Sequence, residues 1–267
     1  MKIISVVTNN PTFIEIQYKS IHKFFKCKES LEIIIFNDAK SWNDITNFGD
    51  TTMPQQIMDM CTKLNITCIN IPNQQHKNST GASHRHADSM NFMTNYMKMN
   101  PDMYFVLDCD MFFVDYFDMS VYEKYYFYYV LQGRSVHYPW PNIFFIDTRR
   151  VPNVELIDWS LASGTDTGGK CAKWLSLLET EKTYKLKPHL SSGKWTSSDL
   201  PKNINKNIYL FLDNDVRNEG NKYFSEIFDE KIFHYRAGSN WTNKTRDVHD
   251  KMTQLLNSTF DKIIQES

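Results

Sequence analysis

Within the stretch Phe105-Val106-Leu107-Asp108-Cys109-Asp110-Met111-Phe112-Phe113, three apolar residues run into two carboxylates one residue apart, and apolar residues resume at once. An apolar run of this kind reads as a buried parallel strand. Carboxylates are rarely buried without a partner, because stripping an ion of its water is costly. Paired aspartates at the carboxyl end of a core strand therefore need a cation, or a substrate that carries one. Such strand ends are where open α/β sheets bind ligands. A divalent metal held by Asp108 and Asp110 and shared with a diphosphate meets that need. The competing account is a pair of strand-end aspartates that cap the next turn, and Asp-x-Asp is short and common. The surrounding elements must decide between the two.

Those elements alternate. Ile3 to Thr8 is a short apolar strand, stopped by Asn9-Asn10-Pro11. A helical pattern follows, with Phe13, Ile16, Ile21, Phe24 and Phe25 near one face. Leu31 to Phe36 is a second strand that closes on Asn37-Asp38; Gln55 to Leu64 reads as a helix and Ile66 to Ile71 as a third strand. After a polar loop from Pro72 to Ser83, His84 to Met99 is helical, and Met103 to Leu107 is the fourth strand, which delivers Asp108. Strand and helix in strict alternation specify a right-handed, doubly wound half. Beyond Asp110 the pattern becomes mixed. Tyr125 to Leu131, Asn142 to Ile146, Ile208 to Leu212 and Ile232 to Tyr235 read as strands, Lys170 to Leu178 as a helix, and Asp247 to Ile264 as a closing helix. The expectation is an α/β fold in a single domain, 1–267. A Rossmann-type nucleotide-binding half, 1–115, is fused to a mixed-sheet half, 116–267, and one continuous sheet runs through both.

Composition sets few limits. At 267 residues the chain can bury a sizeable core, and 41% hydrophobic with 23% charged residues describes an ordinary globular protein. The net charge of −1 gives no global pull toward nucleic acid or an anionic membrane, and the lysine-rich run Lys170–Lys206 reads as a solvated face. The five cysteines are scattered without Cys-x-x-Cys spacing, which suggests neither a zinc site nor a disulfide framework. No apolar run approaches the roughly 20 residues a membrane helix needs. With no secretory leader evident, the five Asn-x-Ser/Thr sequons read as chance and the expected setting is cytoplasmic and reducing.

The ordered set of motifs resembles the nucleotide-sugar glycosyltransferases of the GT-A fold. The set comprises Thr8-Asn9 after the first strand, Asn37-Asp38 after the second, a helix before Asp108-Cys109-Asp110, and Asp166-Thr167-Gly168. It ends in His234-Tyr235-Arg236-Ala237-Gly238-Ser239-Asn240-Trp241, which is similar to the His-x-x-Gly-x-x-Lys-Pro-Trp segment of one retaining subgroup. Here the glycine falls one residue later and the Lys-Pro pair is missing. The general appearance is also similar to glycosyltransferases encoded by large DNA viruses.

The resemblance implies roles. Asp110 would ligate Mn²⁺ or Mg²⁺, and Asp108 would reach the ribose or sugar hydroxyls of a UDP- or GDP-linked donor as well as the metal. His234 would be a third ligand, although a lone histidine at a strand end is also an ordinary structural residue. Asp38 would face the base with Thr8 and Asn9 beside it, or else cap the segment that follows. Arg85, near a helix start that already favours anions, would meet base or phosphate, and Asp88 and Asn91 share that rim. Asp166, in the Gly-flanked stretch Gly164 to Gly169, would deprotonate the acceptor hydroxyl in an inverting transfer, or else cap the helix starting near Lys170. Trp140 and Trp241 would offer apolar faces to sugar rings. The implied partners are a nucleotide-sugar donor and a glycan acceptor, with no nucleic acid and no membrane span.

Two other enzyme classes fit less well. A phosphatase of the haloacid dehalogenase type expects its nucleophilic aspartate on the first strand. A sugar-1-phosphate nucleotidyltransferase expects a glycine-rich loop where this chain has Thr8-Asn9-Asn10-Pro11. A module that binds a nucleotide sugar without turnover is the alternative outside enzymes.

Overall fold

The structure, a computed structural model, describes residues 1–79, 81–186, 188–238 and 245–266. Its first half runs β1 (Lys2–Val7), α1 (Pro11–Phe24), β2 (Phe25–Lys26), β3 (Glu32–Asn37), α2 (Met53–Lys63), β4 (Thr67–Asn70), α3 (Ala82–Met99) and β5 (Met103–Leu107). There follow β6 (Met111–Phe113), β7 (Phe117–Asp118), β8 (Phe127–Gly133), β9 (His137–Asp147), α4 (Cys171–Leu175) and β10 (Thr183–Leu186). The chain closes with β11 (Pro188–Leu190), α5 (Lys206–Asn214), β12 (Glu226–Phe228), β13 (Ile232–His234) and α6 (Arg246–Glu266).

Seven strands form the main sheet in the order β10-β8-β9-β5-β1-β3-β4, and only β9 runs against the others. The alternating side chains of β1 explain its two covered faces. Ile3 and Val7 enter the core shared with α1, α2 and α6, while Ile4 enters the core built with Met90, Met93 and Met97 of α3. Helices on both faces of a largely parallel sheet confirm the α/β expectation. Because β3 and β4 lie to one side of β1 and β5 to the other, the strand order reverses between β1 and β5. A crevice at the carboxyl ends of those two strands is the place such a sheet offers to a ligand.

Two sequence expectations need correction. The sheet is not continuous, because β11-β12-β13-β6 form a separate antiparallel sheet of four strands and β2 pairs with β7 in a third. Ile208 to Leu212 is not a strand but lies in α5, where Ile208, Phe211 and Leu212 are buried at helical spacing and the Asn205 side chain accepts from the Asn207 N–H at 2.8 Å. A short apolar run does not by itself distinguish strand from helix, and the asparagine cap decides it here. Among the described residues, no helix is long and apolar enough to cross a membrane.

Candidate active site

The turn after β5 is held from three directions. Gln17 of α1, a long polar side chain buried on the same helix as Phe13, Ile14, Ile16 and Ile21, donates to the carbonyls of Asp108 (2.9 Å) and Met111 (3.0 Å). Its own Oε1 lies 2.7 Å from Ser5 Oγ on β1. From β9, Asn142 accepts the Asp108 N–H through its carbonyl at 2.7 Å and donates its side-chain amide to Asp108 Oδ2. Asp108 Oδ1 takes the Cys109 N–H at 2.9 Å, the local capping bond that the sequence allowed.

Asp110 points the other way, into the second sheet. Its carbonyl accepts the Tyr235 N–H at 2.9 Å and its Oδ2 accepts the Gly238 N–H at 2.8 Å. The chain returns to Asp110 from β13 through Arg236 and Ala237, both left-handed at φ 51° and 56°. Such residues are held against a cost of order 1–3 kcal/mol each. His234 closes the arrangement. It sits opposite Met111 on β6 and opposite Glu226 on β12. Its Nε2 is 3.3 Å from Asp110 Oδ1 and its Nδ1 is 2.8 Å from Glu226 Oε2. Asp110 and His234 are each 3% exposed, so this is a buried pair.

Charge sharing follows. Burial raises the Asp108 carboxyl, Asp110 pushes it further, and it stands at about 7. For Asp110 burial acts upward too, but the His234 charge and its hydrogen bonds outweigh it and hold Asp110 below the ordinary carboxylate value. Burial pulls the His234 imidazole down, and Asp110 and Glu226 more than reverse this, to about 10. A group raised on folding contributes stability that is fully present below its unfolded value and is lost as pH rises through the folded one. For His234 that window runs from 6.5 to about 10. The stability advantage of the wild type over His234→Gln, read from urea midpoints, is therefore expected to shrink steadily across the window. A constant difference would show that His234 does not carry the charge.

The rim collects the other expected residues. Thr8 is half-buried after β1, and the Asn9 side chain donates to the Thr46 carbonyl at 2.7 Å. Asp38 is 5% exposed, and both its oxygens are already engaged. Oδ1 accepts from Lys40 Nζ at 2.6 Å and Asn73 at 2.9 Å, and Oδ2 from Ser89 of α3 at 2.9 Å. The buried Lys40 ammonium, lowered in pKa by its burial, also meets His76 Nδ1 at 2.8 Å, and Asp88 lies 3.3 Å from the other ring nitrogen. Arg85 forks onto both oxygens of Asp44 at 2.9 Å and also holds the carbonyls of Ser79 and His76. In this structure Asp38 and Arg85 therefore lock the loops after β3 and β4 to α3, and shape the rim with their polar ends turned inward. Asn91 ties α3 to Trp159 through a 2.8 Å bond.

Asp166 does not cap α4, whose N-cap position is Lys170; its carboxylate accepts the Thr167 N–H at 2.8 Å. Thr167 in turn donates to the carbonyl of Ser83 at 2.9 Å, which fixes this loop over the start of α3. His86 lines a small, open cleft with Val6, Met90, Val106, Leu107, Asp108, Pro141 and Asn142, which is the crevice at the β1/β5 reversal. Burial holds its pKa below the ordinary value, against the carboxylates of Asp166, Asp38 and Asp110. Trp140 packs its ring 5.6 Å from those of His234 and Phe228. Trp241, with Ser239 and Asn240, lies outside the described residues.

Sequence reasoning missed Gln17, Asn142, Glu226 and the role of Gly238, and it read His86, like every histidine but His234, as structural. Only Gln17 carried a usable signal, a long polar side chain among the apolar residues of its helix.

The sequence matches no protein-family model and no curated protein. Among solved structures the chain is similar to LgtC, a galactosyltransferase in complex with donor and acceptor sugar analogues, at 10% identity over 97% of this chain and 96% of that one, with a TM-score of 0.46. It is also similar to mouse xyloside xylosyltransferase 1 in its apo form, at 8% identity over 70% of this chain and 86% of that one, with a TM-score of 0.38. Both superpositions are loose, and the site is read from its own residues.

Those residues fit a divalent cation in their donor chemistry. Asp110 Oδ1 is buried without a hydrogen bond of good geometry, facing an imidazole nitrogen. Carboxylate and imidazole donors suit Mn²⁺, and carboxylate suits Mg²⁺. Among the described residues, no three histidine, cysteine, aspartate or glutamate side chains are grouped so as to hold a metal ion between them. Asp108, turned onto Asn142, is the member that stands apart.

Proposed function

We propose that the chain is a metal-dependent glycosyltransferase of the GT-A type, moving a sugar from a nucleoside-diphosphate donor to a hydroxyl of a glycan or glycoconjugate. The observation that carries this reading is the approach of Asp110 to His234 beside Asp108. Asp108 and Asp110 lie in the turn between β5 and β6, and the pairing of β13 with β6 brings His234 to Asp110. Asp108, Asp110 and His234 would hold Mn²⁺ or Mg²⁺, whose charge stabilises a departing diphosphate.

The chain's own residues divide the remaining work. Thr8 and Asn9 border the crevice on the β1 side and receive the nucleotide, while Asp38 and Arg85 keep that border rigid. His86 and Asn142 line the floor beside Asp108, where the donor sugar would lie. Asp166, on its Gly-flanked loop, takes the proton of the acceptor hydroxyl in an inverting transfer. Trp140 offers an apolar face next to His234. A phosphatase reading would need its aspartate on the first strand, and β1 ends instead in Thr8-Asn9.

Calorimetric titration of UDP and GDP, each with Mn²⁺ and with chelator, tests the reading. At least one nucleotide is expected to bind much more tightly with the metal, and equal affinity in both conditions for both nucleotides would end it. A binding module without turnover would show that metal dependence yet never hydrolyse or transfer the sugar. Asp166→Ala is expected to leave metal-dependent nucleotide binding intact and to slow transfer by about 10²–10⁴-fold, the usual contribution of a general base. Product NMR showing the donor's anomeric configuration preserved would remove Asp166 from that role.

A further inference from the structure

Glu226 is a half-buried carboxylate that the proposed reaction leaves without a task. It faces His234 directly across the β12–β13 ladder, so both side chains stand on the same face of the second sheet. Glu226 Oε2 is 2.8 Å from His234 Nδ1, and Oε1 accepts the Ser192 N–H at 3.2 Å, which fixes the carboxylate at both ends. The imidazole is walled in by Trp140 at 5.6 Å and Phe228 at 6.1 Å between ring centroids. With Nδ1 taken by Glu226, the nitrogen turned to Asp110 is Nε2, at 3.3 Å. An imidazole free to flip would present either nitrogen and would need ordering on each binding event.

We propose that Glu226 is the positioning residue that makes His234 a metal ligand, by holding its ring so that Nε2 faces the site beside Asp110. This rests on the metal-site reading given above. Carboxylate–histidine–metal relays of this kind tune ligand affinity at other centres, where removal of the outer partner typically costs 10–100-fold. The role of Glu226 is to act through the imidazole, which its Oε2 contacts at 2.8 Å.

The test uses Mn²⁺ itself as the probe, titrated into the 267-residue chain and followed by the loss of its free-ion electron paramagnetic resonance signal. Wild type, Glu226→Ala and Glu226→Gln are compared, with urea midpoints measured alongside. The expected result is Mn²⁺ binding about 10–100-fold weaker in Glu226→Ala. Glu226→Gln should recover part of that loss, because its amide oxygen still accepts from Nδ1–H. A structural partner only would lower the urea midpoint and leave Mn²⁺ affinity unchanged, and that outcome overturns the proposal. If Glu226→Ala does not fold, the nearly isosteric Gln variant decides: weaker Mn²⁺ binding than wild type supports positioning, and equal binding refutes it. Failure of the wild type to bind Mn²⁺ would instead refute the metal-site reading, and this inference with it.

Discussion

Asp110→Asn is expected to abolish Mn²⁺-dependent nucleotide binding and sugar transfer, and to destabilise the chain as well. From the sequence alone, two neighbouring carboxylates repel, and relieving one should leave the fold unharmed or firmer. The structure changes that expectation. Asp110 already has a cation, the His234 imidazolium 3.3 Å away, and both side chains are 4% exposed. Removing one partner of a buried pair leaves the other charge uncompensated, at a cost of about 3–5 kcal/mol. The asparagine could still accept the Gly238 N–H, so the loss is electrostatic rather than a cavity. Urea midpoints and Mn²⁺ titration on the same sample separate the effects. A variant as stable as wild type would mean that Asp110 and His234 are not charged partners, and retained Mn²⁺ binding would remove Asp110 from the ligand set.

Gly238→Ala should be nearly as damaging, although it alters no ionisable group. A Cβ there would lie 2.5 Å from Phe13 Cε2, 2.8 Å from Asp110 Cβ and 2.9 Å from Tyr235 Cδ1. These are rigid, buried neighbours, since Phe13 and Tyr235 are 0% exposed. Overpacking of this kind typically costs about 1–3 kcal/mol. It also pushes the Gly238 N–H off Asp110 Oδ2, so Mn²⁺ affinity is expected to fall together with the urea midpoint. A variant with wild-type values for both would show that the return from β13 has room to spare.

The parts of this site legible in the sequence are those whose signal is local. Phe105 to Asp110 announces a core strand that ends in charge because apolar run and carboxylates are adjacent. The doubly wound half follows from period and punctuation in the same way. Gln17 is read only once its partner is known, because Asp108 is 91 residues away in the chain. The Gly238 contact with Asp110 spans 128 residues, and the glycine carries no mark of the ring it must clear. Glu226 in its short strand is indistinguishable from any edge-strand acid until β13 is laid beside it. Asp38 shows the converse. Its position after β3 leaves a base-facing ligand and a local cap both open, but Lys40, two residues on, folds back beneath it, and only the tertiary packing reveals that.

The first and last helices of the chain are neighbours. Lys19 of α1 pairs with Asp261 of α6 at 2.8 Å, Asn10 donates to Thr253 at 3.0 Å, and Phe13 and Ile16 share one core with Leu256, Phe260 and Ile263. During synthesis at ~5–20 residues per second, α1 therefore waits on the order of ten seconds or more for the helix that covers it. Throughout that interval the nascent chain shows an aromatic, apolar face while the parallel strands beside it are still recruiting distant partners. Slowly paired topology with late burial is the combination most exposed to off-pathway association. Yield of soluble chain should accordingly depend more on growth temperature and holdase chaperones than the stability of the finished fold would suggest.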